Sequence, residues 1–104
     1  MNKSTVVDRL RSVAKETLPP DSTLILYGSR ARGDSREDSD WDLLVLIDKA
    51  ELVAKDYALT YPFRVLGWEL GEEINPSIYT KKQWDSWKYL PYYKNVERDK
   101  IVLL

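Results

Sequence analysis

The stretch Thr23-Leu24-Ile25-Leu26-Tyr27-Gly28-Ser29, followed after ten residues by Asp40-Trp41-Asp42-Leu43-Leu44-Val45-Leu46-Ile47, decides how the rest of the chain is read. Both apolar runs lack a helical period and are bounded by turn residues, so each predicts a buried strand. The second run is apolar on both of its faces, the pattern of a strand covered from both sides. Between them, Arg30 to Ser39 is short of apolar residues and crowds Arg30, Arg32 and Arg36 against Asp34, Glu37 and Asp38.

Working outward, Val6, Leu10 and Val13 recur at helical spacing with charged residues on the other face. They predict an amphipathic helix over 3–17, ended by Pro19-Pro20. Downstream, Asp48-Lys49-Ala50-Glu51 matches a capping box and predicts a helix start there. Pro62 divides the following pattern into helices near 49–60 and 62–70, or kinks a single one, and Gly71 suits a C-cap. Ile74 to Tyr79 reads as a third strand, and Pro76 inside it points to an edge position or an early end to pairing. Thr80-Lys81-Lys82-Gln83 opens a short helix carrying Trp84 and Trp87, which Pro91 breaks. The tail from Tyr92 to Leu104 has room for a last helical turn and a terminal apolar strand. The aromatic residues Trp84, Trp87, Tyr89, Tyr92 and Tyr93 read first as core and second as an interface. This order predicts a single α/β (α+β) domain over residues 1–104, with a mixed sheet of about three to five strands flanked by helices.

Composition narrows the chemistry. The chain has 104 residues, 43% of them hydrophobic and 32% charged, which suits one globular domain. It contains no cysteine and no histidine. That excludes disulfides, thiol nucleophiles, Cys/His metal sites and the histidine-based triad. A net charge of −1 supplies no bulk basic field for nucleic acid. The longest apolar run, Leu43 to Ile47, is far too short for a bilayer, and the N-terminus lacks a signal-peptide run, so a cytoplasmic protein is expected.

The remaining chemistry rests on carboxylates, hydroxyls and arginines. Strand period two places Asp40 and Asp42 on one face, close together. Two such carboxylates need a cation or a raised pKa in one member, and an oxygen-only ligand set suits Mg²⁺ or Mn²⁺. The alternative is a capping Asp40 and a solvent-facing Asp42. Gly28-Ser29 after a strand presents backbone N–H groups and a hydroxyl suited to phosphate, or is an ordinary glycine turn. Arg30 and Arg32 either clamp phosphates or pair with the neighbouring acids.

Taken together, Tyr27-Gly28-Ser29, ten residues, then Asp40-Trp41-Asp42-Leu43 resembles the signature of the DNA polymerase β-like nucleotidyltransferase superfamily. The fuller string Gly-Ser-Arg-Ala-Arg-Gly-Asp, with Ser-Asp-Trp-Asp-Leu-Leu-Val, is similar to the minimal nucleotidyltransferase (MNT) family in particular. The resemblance implies the small nucleotidyltransferase fold and a substrate of ATP or another nucleoside triphosphate. It implies that Gly28 and Ser29 hold the triphosphate with support from Arg32, and that Asp40 and Asp42 are catalytic and bind metal. It also implies a third carboxylate on a later strand, and counting places that position nearest Asn75. Asparagine offers neither charge nor base, so Glu73, two residues earlier on the same strand face, is the displaced candidate. Members of this family occur beside HEPN-type toxins as antitoxins, some of which transfer AMP to a hydroxyl of the partner. A HEPN-type protein partner is therefore an expectation of the resemblance, and the sequence is compatible with a homo-oligomer. The alternative expectation is a catalytically weak or inactive module that binds a nucleotide or a partner.

Overall fold

A computed structural model describes residues 2–104. Helix α1 (Lys3–Thr17) has the predicted bounds, with the Asn2 side chain capping the Thr5 amide and Val6, Leu10 and Ala14 buried along one stripe. Strand β1 (Thr23–Tyr27) leads through Gly28 into the single-turn helix α2 (Ser29–Arg32), and a loop returns the chain into β2 (Trp41–Ile47). A 3₁₀ segment (Ala54–Thr60) runs into α3 (Tyr61–Leu70), which ends at Gly71 with φ 68°. Then follow β3 (Ile74–Thr80), α4 (Lys81–Asp85), α5 (Pro91–Asp99) and β4 (Ile101–Val102).

The strands form one four-stranded mixed sheet in the order β3-β2-β1-β4. β2 runs antiparallel to β1 and parallel to β3, and β4 adds antiparallel to β1. One face carries Leu24, Leu26, Leu43 and Val45, covered by Val6 and Leu10 of α1 and by Phe63 and Leu66 of α3. The other carries Ile25, Leu44 and Leu46, covered by Trp84 of α4 and Val96 of α5. This double cover explains why β2 reads as a continuous apolar run. Truncating the fully buried Leu44 to Ala would remove about 2–5 kcal/mol.

β3 lies at the sheet edge, where Pro76 had placed it. The Trp41 amide donates to the Glu73 carbonyl, which turns the backbone groups of odd-numbered β3 residues toward β2. Pro76 therefore stands at an outward position, where its missing N–H costs no ladder bond.

Two local expectations need correction. Residues 48–53 are not helical, because the Asp56 carboxylate accepts from the Val53 amide at 2.7 Å and from Lys49 Nζ at 2.8 Å. That pair moves the start to Val53 and makes the first element 3₁₀, with α3 separate after it. The tail forms nine helical residues and not one turn, since Val96, Tyr92 and Tyr93 of α5 pack with Trp84 on the sheet. Of the aromatic cluster, Trp84, Trp87, Tyr92 and Tyr93 complete this second core while Tyr89 is exposed. Among the described residues no helix is long and apolar enough to cross a membrane.

Candidate functional site

At the C-terminal end of β1 the chain turns sharply. Gly28 takes φ 75°, ψ −160°, a region that side chains essentially exclude. The reason lies across the sheet, where Tyr27 pairs with Asp42. A Cβ on Gly28 would come within 2.5 Å of Asp42 Oδ2, so glycine lets the turn close over the carboxylate. The Gly28 carbonyl accepts from the amides of Ala31 and Arg32, which starts α2. The amides of Ser29 and Arg30 open that turn and have no intrahelical acceptor.

Register then assembles the rest of the site. One row across the sheet runs Tyr27, Asp42, Asn75. Asp40, just before β2, receives a hydrogen bond from Asn75 Nδ2 at 3.0 Å. Asp42 is half-buried, and burial together with the neighbouring Asp40 charge raises its carboxyl pKa, while Arg32 opposes the rise. A carboxylate whose proton affinity is raised by a neighbouring carboxylate marks a site short of positive charge. Their oxygen-only donors, with a neutral amide as third neighbour, fit one hard divalent cation. The described residues contain no cluster of three or more Asp, Glu, His or Cys that could hold a metal.

Asn75 thus occupies the place opposite Asp42 at which the resemblance put a third acid. Glu73 lies one residue before β3 and is exposed, and its side chain has no hydrogen bond or ion pair among the described residues. On the Tyr27 side, its hydroxyl lies 3.2 Å from that of Tyr92 on α5. Burial first, and then the negative Asp42, raise the Tyr27 pKa and keep this hydroxyl neutral.

The arginines divide their work. Arg30 Nη2 and Nε donate to the Ser39 carbonyl, Nη2 also reaches the Glu37 carbonyl at 3.1 Å, and the guanidinium lies 4.6 Å over the Trp41 ring. It also faces Glu72 at 3.8 Å, whose carboxylate accepts from Trp41 Nε1. Arg30 is a clasp that fixes the loop immediately before Asp40. Arg32 instead pairs with Asp34 at 3.2 Å and with Asp99 of α5 at 3.0 Å. Sequence reasoning left both roles open for each arginine and did not find Glu72 or Asp99. Glu72 has no motif signal, and Asp99 is separated from Arg32 by 67 residues.

A family model described as a nucleotidyltransferase domain matches residues 7–103. Among solved structures, a crystal structure of a toxin–antitoxin with AMP-PNP has the same fold, with TM-score 0.64 and 16% identity over 94% of this chain and 72% of that one. A search of curated proteins gives no match.

Proposed function

Because the chain belongs to the nucleotidyltransferase domain family, matched over residues 7–103, we propose that it transfers a nucleoside monophosphate, AMP from ATP, to a hydroxyl of a protein partner. The observation that carries this reading is the closure of Gly28 over Asp42, with Asp40 alongside and α2 opening from the same turn. Gly28 lets the turn lie against Asp42, and the amides of Ser29 and Arg30 with the Ser29 hydroxyl donate to the oxygens of a phosphate. Asp40 and Asp42 would hold a divalent cation, Mg²⁺ or Mn²⁺, which when bound supplies charge neutralisation for phosphates and polarises an acceptor hydroxyl. The acceptor oxygen bonds to the α-phosphorus as the bond to the bridging oxygen breaks. Pyrophosphate departs with the electron pair, and the hydroxyl proton leaves to water. Arg32 reaches the departing phosphates by exchanging its Asp99 partner for them.

The likeness to a toxin–antitoxin structure supports a protein partner that provides the acceptor, and the motif's resemblance to the minimal nucleotidyltransferase family supports an antitoxin role beside a HEPN-type toxin. Incubation of the chain and any co-purified partner with Mg²⁺ and ATP radiolabelled at the α-phosphate tests the reading. Transfer of label by the wild type and its loss in Asp42→Asn are expected; equal labelling by the two would refute it.

One observation favours a second reading, a nucleotide- and partner-binding module without catalysis. Asn75 supplies no base, and its amide already occupies Asp40. Asn75→Asp separates the two readings. Under the first it raises the transfer rate at saturating Mg²⁺, and it lowers ion-free stability by about 1.5–3 kcal/mol through loss of a hydrogen bond to a charged group. Under the second it changes stability alone.

A further inference from the structure

In-line displacement at phosphorus puts the entering hydroxyl and the departing pyrophosphate on opposite sides of the reacting atom. With phosphates seated at Gly28-Ser29, the departing group lies on the β1 side of Asp42. The row Tyr27, Asp42, Asn75 then places Asn75 on the entering side. Beyond Asn75 a cleft of about 550 Å³ opens between α3 and the start of β3, lined also by Arg64, Trp68 and Glu73.

We propose that this cleft is the acceptor subsite, and that it takes an extended peptide segment of a second protein. The segment's hydroxyl lies at Asn75, a basic residue meets Glu73, and an apolar side chain rests on Trp68. The proposal rests on the nucleotidyl-transfer reading, and it adds the place where the acceptor binds and the residues that select it.

Shape and charge choose this occupant. Gly67 and Gly71 line the cleft without side chains. Gly67 has no freedom to be otherwise, since a Cβ there would lie 2.7 Å from the Glu72 carbonyl oxygen. Trp68 is 68% exposed and is held edge-to-face against the exposed Tyr61 at 5.9 Å. A rigid aromatic pair facing solvent is an economical anchor for an apolar side chain, because little rotamer freedom is lost on contact.

Glu73 is unpaired among the described residues, and Asp40 and Asp42 stand beyond Asn75. Arg64 is the one cation lining the cleft among the described residues. This negative excess repels a phosphodiester backbone and attracts a basic peptide. Pro76 at an outward position of β3 removes one of the N–H groups that strand addition would use, which shifts the hold on the segment toward side chains in the cleft. Strand rise of about 3.3 Å per residue sets Glu73 roughly 7 Å from Asn75. The basic residue therefore lies within about two positions of the hydroxyl.

The test uses the full chain and a short-peptide library with a fixed central serine, threonine or tyrosine and randomised flanks. Peptides retained by the immobilised protein with Mg²⁺ and α,β-methylene-ATP are sequenced by mass spectrometry. The same library is offered with ATP radiolabelled at the α-phosphate, in competition with an RNA oligonucleotide. The wild type is expected to enrich basic residues beside the hydroxyl, and Glu73→Lys to reverse that choice to acidic ones. Trp68→Ala, at an exposed position, is expected to lower retention roughly tenfold or more while calorimetry gives unchanged affinity for ATP. Circular dichroism confirms that both variants are folded. Retention of no peptide, or selection blind to both substitutions, overturns the proposal. So does loss of ATP affinity in Trp68→Ala, which would seat the nucleobase there, or preferential labelling of RNA. Dimerisation abolished by Trp68→Ala would assign the aromatic pair to a second copy and overturn it likewise. Peptides selected as expected but never labelled keep the cleft and refute transfer. Peptides labelled without regard to Glu73 and Trp68 keep transfer and refute the cleft.

Discussion

Gly28→Ala is the perturbation that bears most directly on the site. At φ 75°, ψ −160° a side chain costs about 1–3 kcal/mol in backbone strain alone. The added methyl would also meet Asp42 Oδ2 at 2.5 Å, so the carboxylate has to shift away from Asp40 and Asn75. Gly33→Ala supplies the control. Gly33 is left-handed at φ 89°, ψ 10°, with nothing within 4 Å of an added Cβ, so strain of about 1–2 kcal/mol is its whole cost. Gly28→Ala should lose about 2–4 kcal/mol, within the 5–15 kcal/mol of a typical domain and equivalent to roughly 10–20 °C in Tm. Urea unfolding with and without Mg²⁺ and ATP then reads the site. Ligand at a hundredfold excess over Kd adds about 2.7 kcal/mol to a competent protein. Gly33→Ala should keep that increment and Gly28→Ala should lose most of it. Equal destabilisation of the two variants, or a full nucleotide increment in Gly28→Ala, would refute the close approach of turn and carboxylate as the basis of binding.

Other outcomes follow from the same geometry. Arg30→Lys keeps the charge but loses the fork that holds the Ser39 and Glu37 carbonyls. Unfolding and calorimetry should show a loss of about 1.5–3 kcal/mol in stability and weaker ATP affinity, since Asp40 follows that loop. Asp42 has a raised pKa in the folded state, so its ionisation weakens the fold as pH rises above the ordinary carboxylate value of 3.8. Ion-free Asp42→Asn should therefore melt higher than wild type at pH 7, with the gap closing toward pH 4, and Mg²⁺ should stabilise the wild type only. Asp99 is shifted the other way, held down to about 2 by Arg98 and Arg32. Its contribution is complete above pH 4 and is lost between pH 4 and pH 2 as the carboxylate protonates. Acid titration of Asp99→Asn should lack that segment of the wild-type loss.

Local patterns were legible where one force decides them. The stripe of Val6, Leu10 and Val13, the double-faced apolar run of β2 and the proline at Leu43's register partner each predicted their element or its place. The count along β3 that the resemblance prompted put the third-acid position nearest Asn75, and the parallel ladder of the structure pairs that residue with Asp42. The capping box at Asp48 failed because a better acceptor, Asp56, captured both Lys49 and the Val53 amide. Choosing between these caps requires the burial of Asp56, which composition does not report. α5 was underestimated because its helix depends on aromatic contacts with Trp84 and not on propensity. The partners of the arginines were hidden for a related reason: Arg30 answers to backbone carbonyls and Arg32 to a distant acid, and neither leaves a spacing to read.

The pairing of β4 with β1 has a consequence for the order in which the chain is made. Ile25 and Leu26 of β1 pair with Val102 and Ile101, and the Leu24 carbonyl accepts from Leu103. On a ribosome adding about 5–20 residues per second, these partners arrive roughly 4–15 s after β1 itself. During that interval β1 offers a bare edge beside the turn at Gly28, and Asp99 has not yet emerged to engage Arg32. A nascent chain therefore carries its phosphate-binding turn unlatched, with an open strand next to it that is prone to wrong pairings. Translation rate between β1 and β4, and chaperone capture of that edge, become quantities that set the yield of folded protein.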